Sequence, residues 1–335
     1  MAKYRGDQND WLDDQSHRGA KPKKKGNAQR SLSADQATAT VAEVFPNQCR
    51  IRWDSGQETP ATYRRAAVLE RGATGPRERA PVAVGDRVKA ERSGDTGIVA
   101  GVAERRNRLI RPAPDHADTL IHVIVANLDA LAIVTATLNP DFSPGLVDRF
   151  MVAASAQGIP VILCVNKIDL WQPGTESPLW HLYRDLGTEV HEVCAKSGTG
   201  IETLHQALRG KTVAFCGHSG VGKTSLLRKL LGTQFGQIGD VSDFTGKGRH
   251  TTSSAVLLPG PEGTQWIDTP GVREFGLIDI SPETLRDHFP EFTESRASCT
   301  PKACLHLNEE GCAVRGFPRY TSYRRILESL QAGEH

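Results

Sequence analysis

From Thr38 to about Val102 apolar and polar positions alternate in short runs broken by turn signals. Ile51 and Trp53 fall on one face of a strand and Arg50 and Arg52 on the other, the two-residue period of a half-buried strand. Asp54-Ser55-Gly56 then turns the chain, Val82-Ala83-Val84 runs into Gly85-Asp86, and Gly97-Ile98-Val99 makes another short run. Several short strands in so brief a segment predict a small β-barrel; an OB-type barrel is one candidate, and an SH3-like barrel fits the same pattern. The following stretch, Glu104 to Arg111, is basic and reads as a linker.

From about Leu120 the period changes. Thr119 to Leu138 is apolar but interrupted by His122, Asn127 and Asp129, which suits two buried strands and a turn better than a membrane span. Pro144 to Gln157 carries helical spacing, with Leu146, Phe150, Val152 and Ala153 among its apolar positions, and Gly158 and Pro160 end it. A buried strand follows at Val161 to Val165, then a strand at Thr188 to Val193, a helix at Ile201 to Leu208 and a strand at Thr212 to Cys216. This alternation predicts an α/β fold, a parallel sheet with helices on both faces. After about Ser281 the chain turns polar and cysteine-bearing, which predicts a third, small, mainly helical unit. The expected organisation is therefore a basic tail at 1–36, a barrel at 37–110, the α/β domain at 111–280 and a small unit at 281–335.

Composition changes this picture little. The chain has 335 residues, 38% of them hydrophobic, and a net charge of only +2, so average charge does not point to a partner. Its distribution does: Arg18, Lys21, Lys23, Lys24, Lys25 and Arg30 form a run without acidic residues, which is unable to build a core and is attracted to phosphate backbones. The first thirty residues lack an apolar core segment, so no secretory leader is expected. Seven cysteines without such a leader suggest a reducing compartment and a cytoplasmic protein.

The chemistry lies in short motifs. Gly217-His218-Ser219-Gly220-Val221-Gly222-Lys223-Thr224 matches the phosphate-binding loop G-x-x-x-x-G-K-[ST] completely, between an apolar strand and a helix expected at Ser225 to Leu231. Its backbone N–H groups would cradle phosphates, Lys223 would reach the β- and γ-phosphates, and Thr224 would place a hydroxyl on Mg²⁺. Asp268-Thr269-Pro270-Gly271 has the D-x-x-G form, Asp268 for the Mg²⁺ shell and the Gly271 N–H for the γ-phosphate. Between them Phe235 to Ser254 suits a switch loop, where either Thr251 or Thr252 supplies a metal-sensing hydroxyl. Asn166-Lys167-Ile168-Asp169 supplies a guanine reader. The Asp169 carboxylate accepts from the guanine N1–H and 2-amino group, a pair adenine does not offer, and Lys167 packs on the ring. Cys194-Ala195-Lys196 fits the loop supporting the guanine O6, though Cys194 also reads as a core thiol. The reader precedes the phosphate loop by about fifty residues, the reverse of the ordinary order, so the domain is expected to be a circularly permuted P-loop GTPase, with its crevice kept at the carboxyl ends of the strands.

Cys299, Cys304, His306 and Cys312 place three thiols and an imidazole within fourteen residues, a set that would close one structural Zn²⁺ site. His288 is the second-choice ligand, and Cys49, Cys164, Cys194 and Cys216 read as buried residues.

The order NKID, CAK, GHSGVGKT, GRHTT and DTPG, followed by C-x4-C-x-H-x5-C, resembles the bacterial small-subunit-dependent GTPase A family (RsgA, or YjeQ) over roughly residues 38 to 330. The resemblance implies an N-terminal OB barrel, a permuted GTPase domain and a zinc-bearing C-terminal domain. It also implies GTP/GDP as ligands, binding to the 30S ribosomal subunit and its 16S rRNA, a role in late maturation, and hydrolysis stimulated by that subunit. The chain is expected to act as a monomer away from membranes. It departs from the family pattern at Cys194, where serine is usual, and in its tail. The water-orienting glutamine that many GTPases carry just after D-x-x-G is Val272 here, so His250 is the internal candidate for catalysis, a role the resemblance also favours. Two other readings compete: an RNA-binding assembly factor that keeps GTP as a structural ligand, its basic tail, barrel and linker carrying the function, and an ATP-using P-loop enzyme with an accidental NKID.

Overall fold

The computed structural model describes residues 32–64, 77–78, 80–112, 120–172, 174, 178–232, 255–268, 276–277, 279–300 and 303–333. The basic run Arg18 to Arg30, His250, Thr251, Thr252, Gly271 and Val272 lie outside the described residues. The end of the expected tail is instead structured: Leu32 bridges Ala103 and Ala34–Gln36 form a 3-10 turn against the barrel.

Five strands make the barrel: β1 (Ala39–Phe45), β2 (Gln48–Trp53), β3 (Glu58–Tyr63), β5 (Arg87–Ser93) and β6 (Thr96–Val102), with a two-residue β4 (Arg77–Glu78) outside it. Their order, β1-β2-β3-β6-β5, closes by a β5–β1 pairing, and the β3–β6 pair is parallel. One parallel pair inside a closed five-stranded Greek key is the OB topology rather than an SH3-like meander. The expected alternation in β2 is present: Cys49, Ile51 and Trp53 face inward onto Val41, Val88 and Val99. The outward arginines are answered by the barrel's own carboxylates, Arg52 to Glu58 at 2.6 Å, Arg87 to Asp54 at 2.6 Å and Arg64 to Glu91 at 2.9 Å.

The basic segment expected as a linker is structured instead. Its end forms β7 (Arg108–Pro112), paired antiparallel with β8 (Leu120–Ala126). Arg105 is buried against Asp86, which is itself fully buried, at 2.6 Å, and Arg106 meets Asp129 at 2.9 Å. Charge alone reads as solvated linker, but each of these arginines finds a carboxylate only after the chain folds back.

The α/β domain runs β9 (Ala130–Ala136), α1 (Pro144–Ala156), β10 (Val161–Asn166), α2 (His181–Asp185), β11 (Glu189–Glu192), α3 (Ile201–Leu208), β12 (Thr212–Cys216), α4 (Lys223–Leu231), β13 (Val256–Pro259) and β14 (Gln265–Asp268). Strand order is β11-β10-β9-β12-β14-β13, parallel except for β13. The reader-bearing strands β10 and β11 precede the phosphate-loop strand β12 in sequence yet lie in the same sheet, which is the permuted arrangement. β9, apolar except for Thr135 and buried along its length, sits between β10 and β12, as a strand covered on both faces should. On the far edge β13 pairs with β1 of the barrel, Glu43 opposite Val256, and the Arg52 guanidinium donates to the Leu257 carbonyl at 3.0 Å. The barrel thereby covers an edge that would otherwise offer open backbone groups.

The C-terminal segment is mainly helical: short 3-10 turns from Leu285 to Ser298, then α5 (Tyr320–Gln331). Tyr323, Ile326, Leu327 and Leu330 recur at helical spacing on α5 and are buried with Phe289, Phe292 and the α1 residues Val147 and Phe150 in one continuous core. At the centre of this contact Arg319 is buried. Its Nε donates to Asp148 of α1 at 2.8 Å, its Nη1 lies 3.3 Å from Glu291, and its guanidinium lies 4.6 Å above the Phe289 ring.

Candidate nucleotide site and metal centre

Strands β9, β10, β11, β12 and β14 run parallel and end at the same, carboxyl edge of the sheet. The phosphate loop runs from β12 into the first turn of α4. Gly217 has φ 137°, and a Cβ there would stand 2.0 Å from the Val134 carbonyl oxygen; Gly222 has φ 92°, and a Cβ there would stand 2.4 Å from Asn166 Nδ2. Only glycine allows both the backbone twist and the approach of the neighbouring strands. Lys223 Nζ donates to the carbonyls of Gly217 and His218 at 2.8 and 2.9 Å, which holds the ammonium in the mouth of the loop. Thr224 and Ser225 are exposed on the first turn of α4, His218, Ser219 and Gly220 are exposed along the loop, and Val221 is buried. Asp268 ends β14 opposite Phe215 of β12, so its carboxylate starts level with the approach to the loop. A cleft of about 290 Å³ separates the loop from α1, lined by Thr135, Pro140, Asp141, Leu146, Phe150 and His218 among others.

The reader is tied to that loop by one side chain. Asn166 is buried; its Nδ2 donates to the Val221 carbonyl at 2.8 Å and its Oδ1 accepts from the Ala195 N–H at 3.0 Å. A single amide therefore spans three loops that lie 29 and 55 residues apart in sequence. Lys167 takes the left-handed conformation (φ 61°, ψ 37°), which turns the chain so that Asp169 projects to the exposed side. Lys196 is exposed beside it. Cys194, buried in the place where the family usually carries serine, donates its thiol to Asp169 Oδ1 at 3.0 Å. It is thus neither a bystander nor a plain core thiol. Cys49 and Cys164 are plain core thiols: burial pushes them up to about 11 and about 12, and they stay protonated and inert. Thr137 was invisible in the sequence: this buried threonine donates its hydroxyl to the Lys167 carbonyl at 2.7 Å. No motif marks it, because its partner lies thirty residues away.

Cys299, Cys304, His306 and Cys312 bring one ligand atom each within 4.8 Å of one another. His306 Nδ1 stands 3.6 Å from Cys299 Sγ and 3.5 Å from Cys312 Sγ. Ordinary Zn–S and Zn–N bonds meeting at a tetrahedral centre require an S···N edge of about 3.5 Å, so the donor set fits Zn²⁺ in both chemistry and size. All four positions would be protein ligands, which leaves none for water and marks a structural rather than a catalytic metal. Burial pushes the Cys304 thiol up to about 12 and holds His306 below its usual range, so a cation would supply the charge that draws the thiolates out. Around them the Glu309 carboxylate accepts from the Leu305 and Leu307 N–H groups at 2.7 Å each, and the Tyr320 and Tyr323 hydroxyls donate to the His306 and Leu305 carbonyls at 2.8 and 2.7 Å. His288 stands apart, bonded to Ser155 Oγ at 2.9 Å.

The family model described as RsgA GTPase matches residues 102–278. A curated relative from Chlorobaculum tepidum, named small ribosomal subunit biogenesis GTPase RsgA, is 40% identical over 265 residues, 74% of this chain and 85% of the relative. The chain belongs to the RsgA GTPase family. A relative of the same name from Haemophilus influenzae is 36% identical over 74% of this chain and 75% of its own length. Among solved structures, YjeQ from Thermotoga maritima superposes with a TM-score of 0.65 at 26% identity, covering 88% of this chain and 98% of its own. YloQ, described as a circularly permuted GTPase, gives 0.64 at 25% identity over 88% and 94%. As an RsgA GTPase the chain hydrolyses GTP, and the ATP reading of the phosphate loop is set aside. Among the described residues no helix is long and apolar enough to cross a membrane.

Proposed function

We propose that this RsgA GTPase binds the small (30S) ribosomal subunit through its 16S rRNA, assists the subunit's late maturation in the cytoplasm as a monomer, and hydrolyses GTP faster when bound there. The observation that carries the nucleotide half is the Asn166 side chain, which locks the guanine reader, the Ala195 backbone and the phosphate loop into one rigid edge. The names of the relatives support the ribosomal half.

In this reading Asp169 accepts from the guanine edge, Lys167 and the Ala195–Lys196 loop frame the base, and the Gly217–Thr224 backbone holds the phosphates with Lys223 at their β- and γ-oxygens. Mg²⁺ would rest on Thr224 and the Asp268 side, and when bound would neutralise charge developing on the transferred phosphoryl group. Thr251 or Thr252 and the Gly271 N–H would complete the γ-phosphate shell. Val272 can neither hold nor polarise water, so unaided hydrolysis is slow and His250 orients the attacking water once the subunit is bound. Multiple-turnover phosphate release tests the whole reading: 30S particles should raise the rate about a hundredfold or more, the gain of one positioned group in an otherwise intact site. No stimulation by 30S would sink it and favour a factor that keeps GTP as a structural ligand. That second reading is the weaker, because the family model and the relatives are described as GTPases. His250→Ala should remove most of the stimulated rate, roughly a hundredfold for a general acid–base group, with GTP affinity retained; unchanged stimulated turnover would take His250 out of the mechanism.

A further inference from the structure

Reading out guanine depends on where the Asp169 carboxylate points, and that direction is set at Lys167. A lysine in the left-handed region is held there only if its surroundings over-determine it. Three bonds do so, all from the segment after β9. The Thr137 N–H donates to the Asn166 carbonyl at 3.1 Å, the Thr137 hydroxyl donates to the Lys167 carbonyl at 2.7 Å, and Lys167 Nζ donates to the Asn139 carbonyl. Opposite them, the Ile168 N–H is bonded to the Val193 carbonyl at 3.2 Å and the Asp169 carboxylate receives the Cys194 thiol.

The hydroxyl of Thr137 is the unexpected member. Its backbone N–H already follows the sheet, and the Lys167 carbonyl already accepts from the Leu170 N–H at 2.9 Å, so neither backbone group needs the hydroxyl for its own satisfaction. At a position 3% exposed, valine would fill the same volume without introducing a buried polar atom. What the hydroxyl adds is a second bond to one carbonyl from a direction that fixes the peptide plane between Lys167 and Ile168. We propose that Thr137 is a positioning residue for guanine selection: its hydroxyl holds the Lys167 turn and so keeps the Asp169 carboxylate aligned with the N1–H and 2-amino edge of the base. The proposal rests on the reading of Asn166–Asp169 as the guanine reader.

The test uses the full-length chain with a fluorescent GDP analogue, competition by GTP and by ITP, which lacks the 2-amino group, and steady-state hydrolysis. Thr137→Val should weaken GTP binding roughly five- to tenfold, about the worth of one net hydrogen bond. It should narrow the preference for GTP over ITP while leaving kcat at saturation within about twofold. Thr137→Ser, which keeps the hydroxyl, should restore both affinity and preference; Thr137→Ala should behave as Thr137→Val and covers the case in which valine disturbs packing. The proposal is overturned if the variants lacking the hydroxyl keep the GTP-over-ITP preference, if serine fails to rescue it, or if kcat falls together with affinity. Asp169→Asn with xanthosine triphosphate separates this from the underlying reading. If that variant does not shift toward xanthine, the reader assignment itself is wrong. If it does shift while Thr137→Val matches the unmodified chain, only the role of Thr137 is lost.

Discussion

Replacing Arg319 by alanine is expected to destabilise the protein by about 3–5 kcal/mol, the cost of leaving buried charge without its partner. Arg319 and Asp148 are 2% and 0% exposed as side chains, and Glu291 is 6% exposed, so water cannot take over the role of the lost cation. A loss of that size corresponds to a drop in melting temperature of roughly 4–7 °C for a chain of this length. The deficit should depend on pH with a definite sign. Burial already holds the Glu291 carboxyl above the ordinary carboxylate range, and Arg319 is the group that opposes it. Without Arg319 the folded-state value rises further above the unfolded one. The penalty is then absent while the carboxyl is protonated in both states, and it grows as pH rises through the ordinary carboxylate range toward the raised folded-state value. Thermal melts at about pH 4.5, near the ordinary carboxylate value, and at about pH 7.5, well above it, should show the variant closer to the unmodified chain at the lower pH. Equal deficits at both values would mean that lost packing over Phe289, not uncompensated charge, is what Arg319→Ala removes.

Removal of metal from the Cys299–Cys304–His306–Cys312 cluster should have a comparable or larger effect. Structural zinc in small sites contributes on the order of 10 kcal/mol of apparent binding energy at neutral pH. Here the loop it would pin is bonded through Tyr320 and Tyr323 to α5, whose apolar face shares a core with α1. The loosening should therefore not stay local. Calorimetry after exhaustive chelation is expected to show a lowered and broadened transition, with about one zinc released per chain in a colorimetric assay. Cys312→Ser should lose the metal and His288→Ala should keep it. An unchanged melting transition after chelation, or zinc lost equally from both variants, would rule out this ligand set.

How far the site could be read in advance follows the distance over which its interactions act. The phosphate loop, the NKID turn, D-x-x-G and the cysteine cluster each need residues a few positions apart, so spacing alone reveals them. The helix at Ile201–Leu208 and the strand at Thr212–Cys216 appear where the apolar period placed them, because each buries a single stripe or a continuous run. The basic stretch around Arg105 is the opposite case. Composition makes it a linker, and only the long-range partners Asp86 and Asp129 turn it into part of the framework. Thr137 and Arg319 belong to the same class: an ordinary threonine and an ordinary arginine until their partners, 30 and 171 residues away, are beside them.

The sequence by itself determined the family chemistry and the residues proposed for it: the motifs that would hold phosphate, guanine and a soft metal, and the order in which they come along the chain. Local spacing and residue type carry that information, and the order of motifs does not depend on how the chain folds. Only the tertiary structure decided how those parts are held at working distance. It brought Asn166 between three loops, set the Cys194 thiol and the Thr137 hydroxyl around the Asn166–Asp169 turn, laid β1 of the barrel along β13, and merged the cysteine-bearing C-terminal segment with α1 around Arg319. The physical reason is that orientation depends on hydrogen bonds and packing between residues far apart in sequence, whose pairing exists only once the sheet has formed.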